Sequence, residues 1–285
     1  MMNANSPVAV ITGASAGIGK AAARMLVAQG WQVIGTGRDP SRSSAAIAEI
    51  ECAAKDGGSF TILRGDFDVI ENVARLADEV TALAPRIDAL VLNAGGVRDA
   101  MVITADGLEA TFAANHLAHF LLAKRLMPML KASAARVIST SSDAHTYAPG
   151  MNWDDLGFAA NYTPMAAYCQ AKLANVLFTR ELARRGAVHG ITANAIHPGA
   201  VTSNFWSHGD ATFQSRLDQI RETTVTPDAA AQTIVHLVSS PGAAAISGKY
   251  FFMGEERDPS AAALDDDAAS RLWNVSETML EKLGY

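Results

Sequence analysis

The run Val8-Ala9-Val10-Ile11-Thr12-Gly13-Ala14-Ser15-Ala16-Gly17-Ile18-Gly19 decides the fold. Its four apolar residues read as a short strand covered on both faces, and Lys20 to Gln29 behind them reads as a helix. Gly13, Gly17 and Gly19 crowd the seam between the two. Two readings account for them: a strand-to-helix turn that needs glycine only for packing, or a loop whose backbone must approach a phosphate. In the second, Gly13 makes the tight turn, Gly17 admits a diphosphate, and Gly19 lets the helix lie close on its strand. The loop N–H groups, from Ser15 to Ile18, then meet the anion with help from the helix dipole.

The same alternation continues outward. Strand candidates are Val8–Ile11, Gln32–Gly35, Thr61–Leu63, Ala89–Leu92, Arg136–Thr140, Thr192–Ile196 and Lys249–Phe252. Helical patterns lie between them: Val69, Val73, Leu76, Val80 and Leu83 keep a 3-4 spacing, and Ala110–Leu130 and Ala166–Arg185 read as longer helices. Strand-helix-strand repetition of this kind implies right-handed crossovers. The expectation is an α/β fold: a single-domain, Rossmann-type doubly wound sheet of about seven mainly parallel strands with helices on both faces. With no linker or repeat, residues 1–285 read as one domain. Ser260–Ala269, with its Asp265-Asp266-Asp267 run, reads as a surface connection into a last helix around Leu272–Leu283.

Composition narrows the setting. At 285 residues and 49% hydrophobic the chain can bury a large core. A net charge of −6 disfavours nucleic acid as a partner, since phosphate backbones call for a basic face. Two cysteines, Cys52 and Cys169, make neither a disulfide framework nor a zinc site. Nothing at the N-terminus reads as a signal peptide, and no run reaches the roughly 18 apolar residues a membrane span needs. A cytoplasmic setting is expected.

The second strand leads to Gly37 and Arg38, about 20 residues past the glycine loop, where this architecture places a group against the adenosine ribose. An acidic residue there would favour NAD; a small residue followed by a guanidinium suits the 2′-phosphate of NADP(H), with Asp39 next door opposing it. Farther on, Tyr168 and Lys172 stand four residues apart on one helical face, so a phenol and an ammonium meet the same small volume. A neighbouring cation favours the phenolate and makes Tyr168 a better acid. Alone, such a pair is as readily a surface pair. Upstream, Ser139-Thr140-Ser141-Ser142 brings hydroxyls to the carboxyl end of a central strand, and Ser142 is the candidate to hold a substrate oxygen, with one position of latitude.

Taken in order, Thr12-Gly13-xxx-Gly17-Ile18-Gly19, Asp66, Asn93-Ala94-Gly95, Asn115, Ser142, Tyr168-xxx-Lys172 and Pro198-Gly199 resemble the short-chain dehydrogenase/reductase family over nearly the whole chain. The segments ANHLAHFLL (Ala114–Leu122), AYCQAKLANVLFTRELARR (Ala167–Arg185), IHPGAV (Ile196–Val201) and RLWNVSETML (Arg271–Leu280) look like its retinol dehydrogenase and WW-domain oxidoreductase branch, which prefers NADP(H). The resemblance implies that Asp66 and Phe67 hold the adenine, and that Asn93, Ala94 and Gly95 line the adenosine ribose. It implies that Asn115 distorts its helix and holds a water in a proton relay to Lys172 and Tyr168. Pro198, Gly199, Val201 and Ser203 would contact the nicotinamide carboxamide, and Lys172 the nicotinamide ribose. Many members of that branch carry a membrane anchor ahead of the first strand, and here six residues precede Pro7.

The function expected is an NADP(H)-dependent interconversion of an alcohol and a carbonyl compound. The alternatives are an NADP(H)-sensing binding protein and a C=C or imine reductase. Ser203–Thr224, with Phe205, Trp206 and Phe213, would form a lid suited to an apolar substrate or packed on itself. By analogy the helices Ala110–Leu130 and Ala166–Arg185 would pair across a two-fold axis, giving a homodimer or homotetramer. His116, His119 and Cys169 read as packing or surface residues, and His145 as a group close enough to Ser142 to reach substrate.

Overall fold

Eight strands form one sheet in the order β3-β2-β1-β4-β5-β6-β7-β8, all parallel except the last. In this computed structural model the described residues are 6–158, 160–201, 210, 211, 214, 215, 218 and 221–285. The strands are β1 (Val8–Ile11), β2 (Gln32–Gly37), β3 (Ser59–Arg64), β4 (Ala89–Leu92), β5 (Arg136–Thr140), β6 (Thr192–His197), β7 (Tyr250–Phe252) and β8 (Glu255–Arg257). The eighth strand corrects the expected seven. Its Glu255-Glu256-Arg257 pairs antiparallel at an exposed edge, where no buried face imposes an apolar pattern.

Side-chain alternation sorts the helices onto two faces. Ala9, Ile11, Val33, Val91 and Ile138 point to one side, under α1 (Gly17–Val27), α2 (Pro40–Glu51) and α6 (Pro227–Ser239). Val8, Val10, Ile34, Leu90 and Val137 point to the other, under α3 (Ile70–Leu83) and two long helices, α4 and α5. Helix α4 joins an α-helical turn Ala110–Phe112, a π-helical turn Ala113–Leu117 and an α-helix Ala118–Ala132, while α5 is Pro164–Gly186. The strand order reverses between β1 and β4, so the crevice beyond their carboxyl ends is the ligand position of a doubly wound sheet.

The C-terminal segment differs from the expected surface connection. Ala261–Leu264 is a 3₁₀ turn with Ala263 fully buried, and α7 (Asp266–Lys282) starts early because Asp265 caps it through the Ala268 N–H at 2.9 Å. The aspartate run is thus a helix cap and first turn, where carboxylates are favoured by the helix dipole. Trp273 of α7 stacks on Phe178 of α5 at 5.9 Å and meets Phe120 of α4 edge-on at 4.8 Å. The chain's own last helix thus packs its Trp273 against both α4 and α5. Among the described residues no helix is long and apolar enough to cross a membrane.

Candidate active site

A cleft of about 1250 Å³ runs along the carboxyl ends of the central strands. Gly13, Ser15, Gly17, Ile18, Arg38, Asp66, Phe67, Asn93, Ala94, Gly95, Ser142, Tyr168, Lys172, Pro198, Gly199 and Val201 all line it. Gly19 and Asn115 stand behind its wall, and Ser203, Phe205, Trp206 and Phe213 lie outside the described residues.

The glycine loop has the shape that phosphate binding asks for. Gly13 and Gly17 take left-handed φ values of 70° and 54°, and a Cβ on Gly19 would sit 2.5 Å from the Gly13 carbonyl oxygen. Helix α1 has no side-chain cap and no acid in its first turn, whereas Asp39, Thr163, Thr226 and Asp265 cap α2, α5, α6 and α7. Its first N–H groups therefore face the cleft as unfilled donors, and a diphosphate fits them. Gly19→Ala should abolish dinucleotide binding and destabilise the fold by roughly 1–3 kcal/mol through overpacking; binding titration and melting check both, and wild-type affinity would contradict this geometry.

Thr12, quoted in the glycine motif but given no role of its own from the sequence, ties the loop to β4. Its hydroxyl oxygen accepts the N–H groups of Asn93 and Ala94 at 2.7 and 2.9 Å, and the Asn93 amide donates back to the Thr12 carbonyl at 3.0 Å. A polar residue closing an apolar strand was the available signal. At the far end Arg38 is exposed, with its guanidinium 3.5 Å from Asp66 and 3.8 Å from Asp68. Asp39 accepts the Arg42 N–H as the cap of α2.

At the other end Ser142 and Tyr168 line the same stretch of the cleft, and the serine hydroxyl acts to lower the pKa of the phenol. The latitude over which serine faces the cleft closes on Ser142: the Ser141 hydroxyl turns inward and donates to the Lys172 carbonyl at 2.8 Å. Lys172 Nζ donates to the Thr140 carbonyl at 3.1 Å and lies 5.5 Å from the centre of the Tyr168 ring. Burial holds Lys172 down at about 8. Burial also pushes the Tyr168 phenol up, with Ser142 acting the other way, and the depression expected from Lys172 is not seen in this dry wall.

Asn115 bends its helix as expected and is the centre of the π-turn. Its side chain is fully engaged: Nδ2 donates to Gly96 O and Thr111 O, both at 2.8 Å, and Oδ1 accepts the Gly96 N–H at 3.1 Å. What it can offer a water is its main-chain carbonyl, which also accepts His119 Nδ1–H at 3.1 Å. His116 and His119 are both buried packing residues. His145 does not reach the cleft; both its ring nitrogens are engaged in the protein. Around Tyr168 the wall is apolar, with Val97, Ala144 and Met165 packed against it.

An uncapped glycine-rich helix start, a switch-point cleft and a serine-tyrosine-lysine cluster define an oxidoreductase of the short-chain type. Residues 7–212 match the family model of the short chain dehydrogenases, and the chain belongs to that family. It is 35% identical to human retinol dehydrogenase 14 over 95% of this chain and 85% of that protein. It is 38% identical to human retinol dehydrogenase 12 over 96% and 86%. A short chain dehydrogenase from Burkholderia cenocepacia J2315, solved in complex with NADP, superposes with a TM-score of 0.70 at 25% identity, covering 91% of this chain and 98% of that one.

Proposed function

We propose that the protein is an NADP(H)-dependent enzyme of the cytoplasm that interconverts an apolar alcohol and its aldehyde or ketone. The observation that carries this is the convergence of Ser142, Tyr168 and Lys172, the last one helical turn from the tyrosine, in an apolar wall of the cleft that the glycine loop opens. The bound dinucleotide would supply the redox chemistry, exchange of a hydride with a carbonyl carbon. The chain supplies position and protons. Backbone donors of the Gly13–Gly19 loop hold the diphosphate, Asp66 and Phe67 the adenine, Asn93, Ala94 and Gly95 the adenosine ribose, and Pro198, Gly199, Val201 and Ser203 the nicotinamide amide. Lys172, with one donor spent on Thr140, keeps two for ribose hydroxyls and a water. Ser142 orients the substrate oxygen and stabilises its developing charge, while Tyr168 gives or takes the proton. The water relay runs through the Asn115 carbonyl, since its side chain has no free group.

Arg38 fits a 2′-phosphate because its guanidinium is exposed at the cleft edge. Arg38→Asp should lower kcat/KM with NADPH by about 10- to 100-fold, the worth of one or two charge-assisted hydrogen bonds. NADH should be affected far less, so the ratio of the two cofactors reports the site; an unaltered ratio removes Arg38 from it. The function itself is tested by following NADPH consumption against a panel of aldehydes, ketones, quinones and retinoids. Turnover of an apolar member supports the proposal, and tight NADPH binding with no turnover of any member would make the protein a sensor instead.

A further inference from the structure

The turn Asp143–Tyr147 follows β5 and starts at Ser142, whose hydroxyl oxygen accepts the Ala144 N–H at 3.1 Å. Where this turn sits therefore decides where the Ser142 hydroxyl points. Five residues of 3₁₀ helix cannot hold themselves in place. Two of their own side chains tie them to the surrounding structure. Asp143 accepts the Tyr250 hydroxyl of β7 at 2.8 Å, and His197 Nε2 lies 3.4 Å from its other oxygen.

The second is His145, whose ring is fully buried. Nδ1 lies 2.7 Å from the Ser142 carbonyl oxygen, which also accepts the His145 main-chain N–H at 3.0 Å. Nε2 lies 3.0 Å from the main-chain nitrogen of Ser260, at the head of the C-terminal segment. A carbonyl only accepts and a peptide N–H only donates, so these partners fix the tautomer: Nδ1 carries the proton and Nε2 is bare. Tyr250 packs edge-on against the ring at 4.9 Å, so the imidazole cannot turn to other partners.

We propose that His145 is a positioning residue, which carries the placement of the C-terminal segment from the Ser260 N–H to the Ser142 peptide and so aims the Ser142 hydroxyl at Tyr168. The inference rests on the reading of Ser142 as the substrate-facing hydroxyl. Packing alone does not account for the residue, because a leucine would fill the space without two aligned polar partners. The Ser260 end is equally specific. Its hydroxyl is buried with no partner, so what Ser260 gives the site is its N–H. The segment behind it is anchored by the fully buried Ala263.

Ser260 has φ −60°, already the angle of proline, so Ser260→Pro keeps the backbone angle while it removes the N–H and sets a ring carbon against His145 Nε2, which breaks the link. In the NADPH-loaded enzyme, turning over the best substrate of the carbonyl panel, Ser260→Pro and His145→Asn should each lower kcat by about tenfold, the scale of a sub-ångström misplacement. NADPH Kd should stay within about twofold, because the glycine loop is untouched. Both changes cut the same link, so the double variant should lose no more than the worse single one. Should His145→Asn fail to fold, Ser260→Pro alone decides. A Ser260→Pro kcat within twofold of wild type overturns the proposal. So do losses that multiply in the double variant, or a lowered melting temperature with kcat intact, the mark of a merely structural role. Ser142→Ala serves as the reference: if it keeps full turnover, the reading of Ser142 fails, an outcome separate from any failure of His145.

Discussion

Tyr168→Phe should lower kcat by about 10²- to 10⁴-fold, the contribution of a positioned proton donor, while NADPH binds as before. The substitution removes one oxygen from a ring that is otherwise packed by Val97, Ala144 and Met165, so the wall survives the change. It also removes the proton donor that stands beside Ser142 on the cleft wall. Burial raises the Tyr168 phenol, so the neutral, proton-bearing form is the resting state, as carbonyl reduction requires. Lys172, held down at about 8 by its own burial, stands beside it as the group through which a proton is replaced. Lys172→Met should therefore reduce turnover without matching the full loss. Steady-state rates beside a fluorescence titration of NADPH check this, and a Tyr168→Phe enzyme with native kcat would remove the tyrosine from the chemistry.

The second large effect falls on stability in mild acid. His116 is fully buried against Phe112, Phe120 and Phe178 and shares a hydrogen bond with the Ser276 hydroxyl at 2.8 Å. His119 sits between Thr12 and the Asn115 carbonyl. Burial holds both down at about 3, with Lys172 adding repulsion at His119. In the unfolded chain each takes up a proton near 6.5, which the folded protein refuses until about pH 3. The unfolded state then binds more protons, so stability is complete above pH 6.5 and is lost as pH falls below it. At about 1.4 kcal/mol per pH unit, each histidine costs about 2 kcal/mol by pH 5, and the pair about 4. That is a large share of a marginal fold. Urea unfolding at pH 7.5 and pH 5 measures it. Near-equal stabilities at the two values would mean that these rings reach water.

Much of the site was legible because chemistry confined it to short, ordered words. The glycine loop, Tyr168 and Lys172 are local features whose spacing alone brings them together, and the structure sets them on one cleft. Asn115 was legible only through resemblance, since nothing in its neighbours announces a π-turn. What escaped was nonlocal. Thr12 meets Asn93 and Ala94 from 81 and 82 residues away, and His145 meets Ser260 from 115. Hydroxyls and imidazoles are used in too many ways for sequence to name partners at that range. The Ser260–Ala269 segment misled only in part: it does lie largely at the surface, but alanine and aspartate have no periodic apolar face, so a turn anchored by Ala263 and a capped helix start looked like a loose link. The antiparallel β8 was invisible because an exposed edge asks no pattern of its residues.

Transfer of deuterium from NADPH labelled at C4 of the nicotinamide is the most direct measurement of the central claim. With an apolar aldehyde or ketone that the enzyme consumes, the account predicts label at the carbinol carbon of the product, delivered to one face and lost in Tyr168→Phe. Tight NADPH binding with no label in any product across the panel would contradict it.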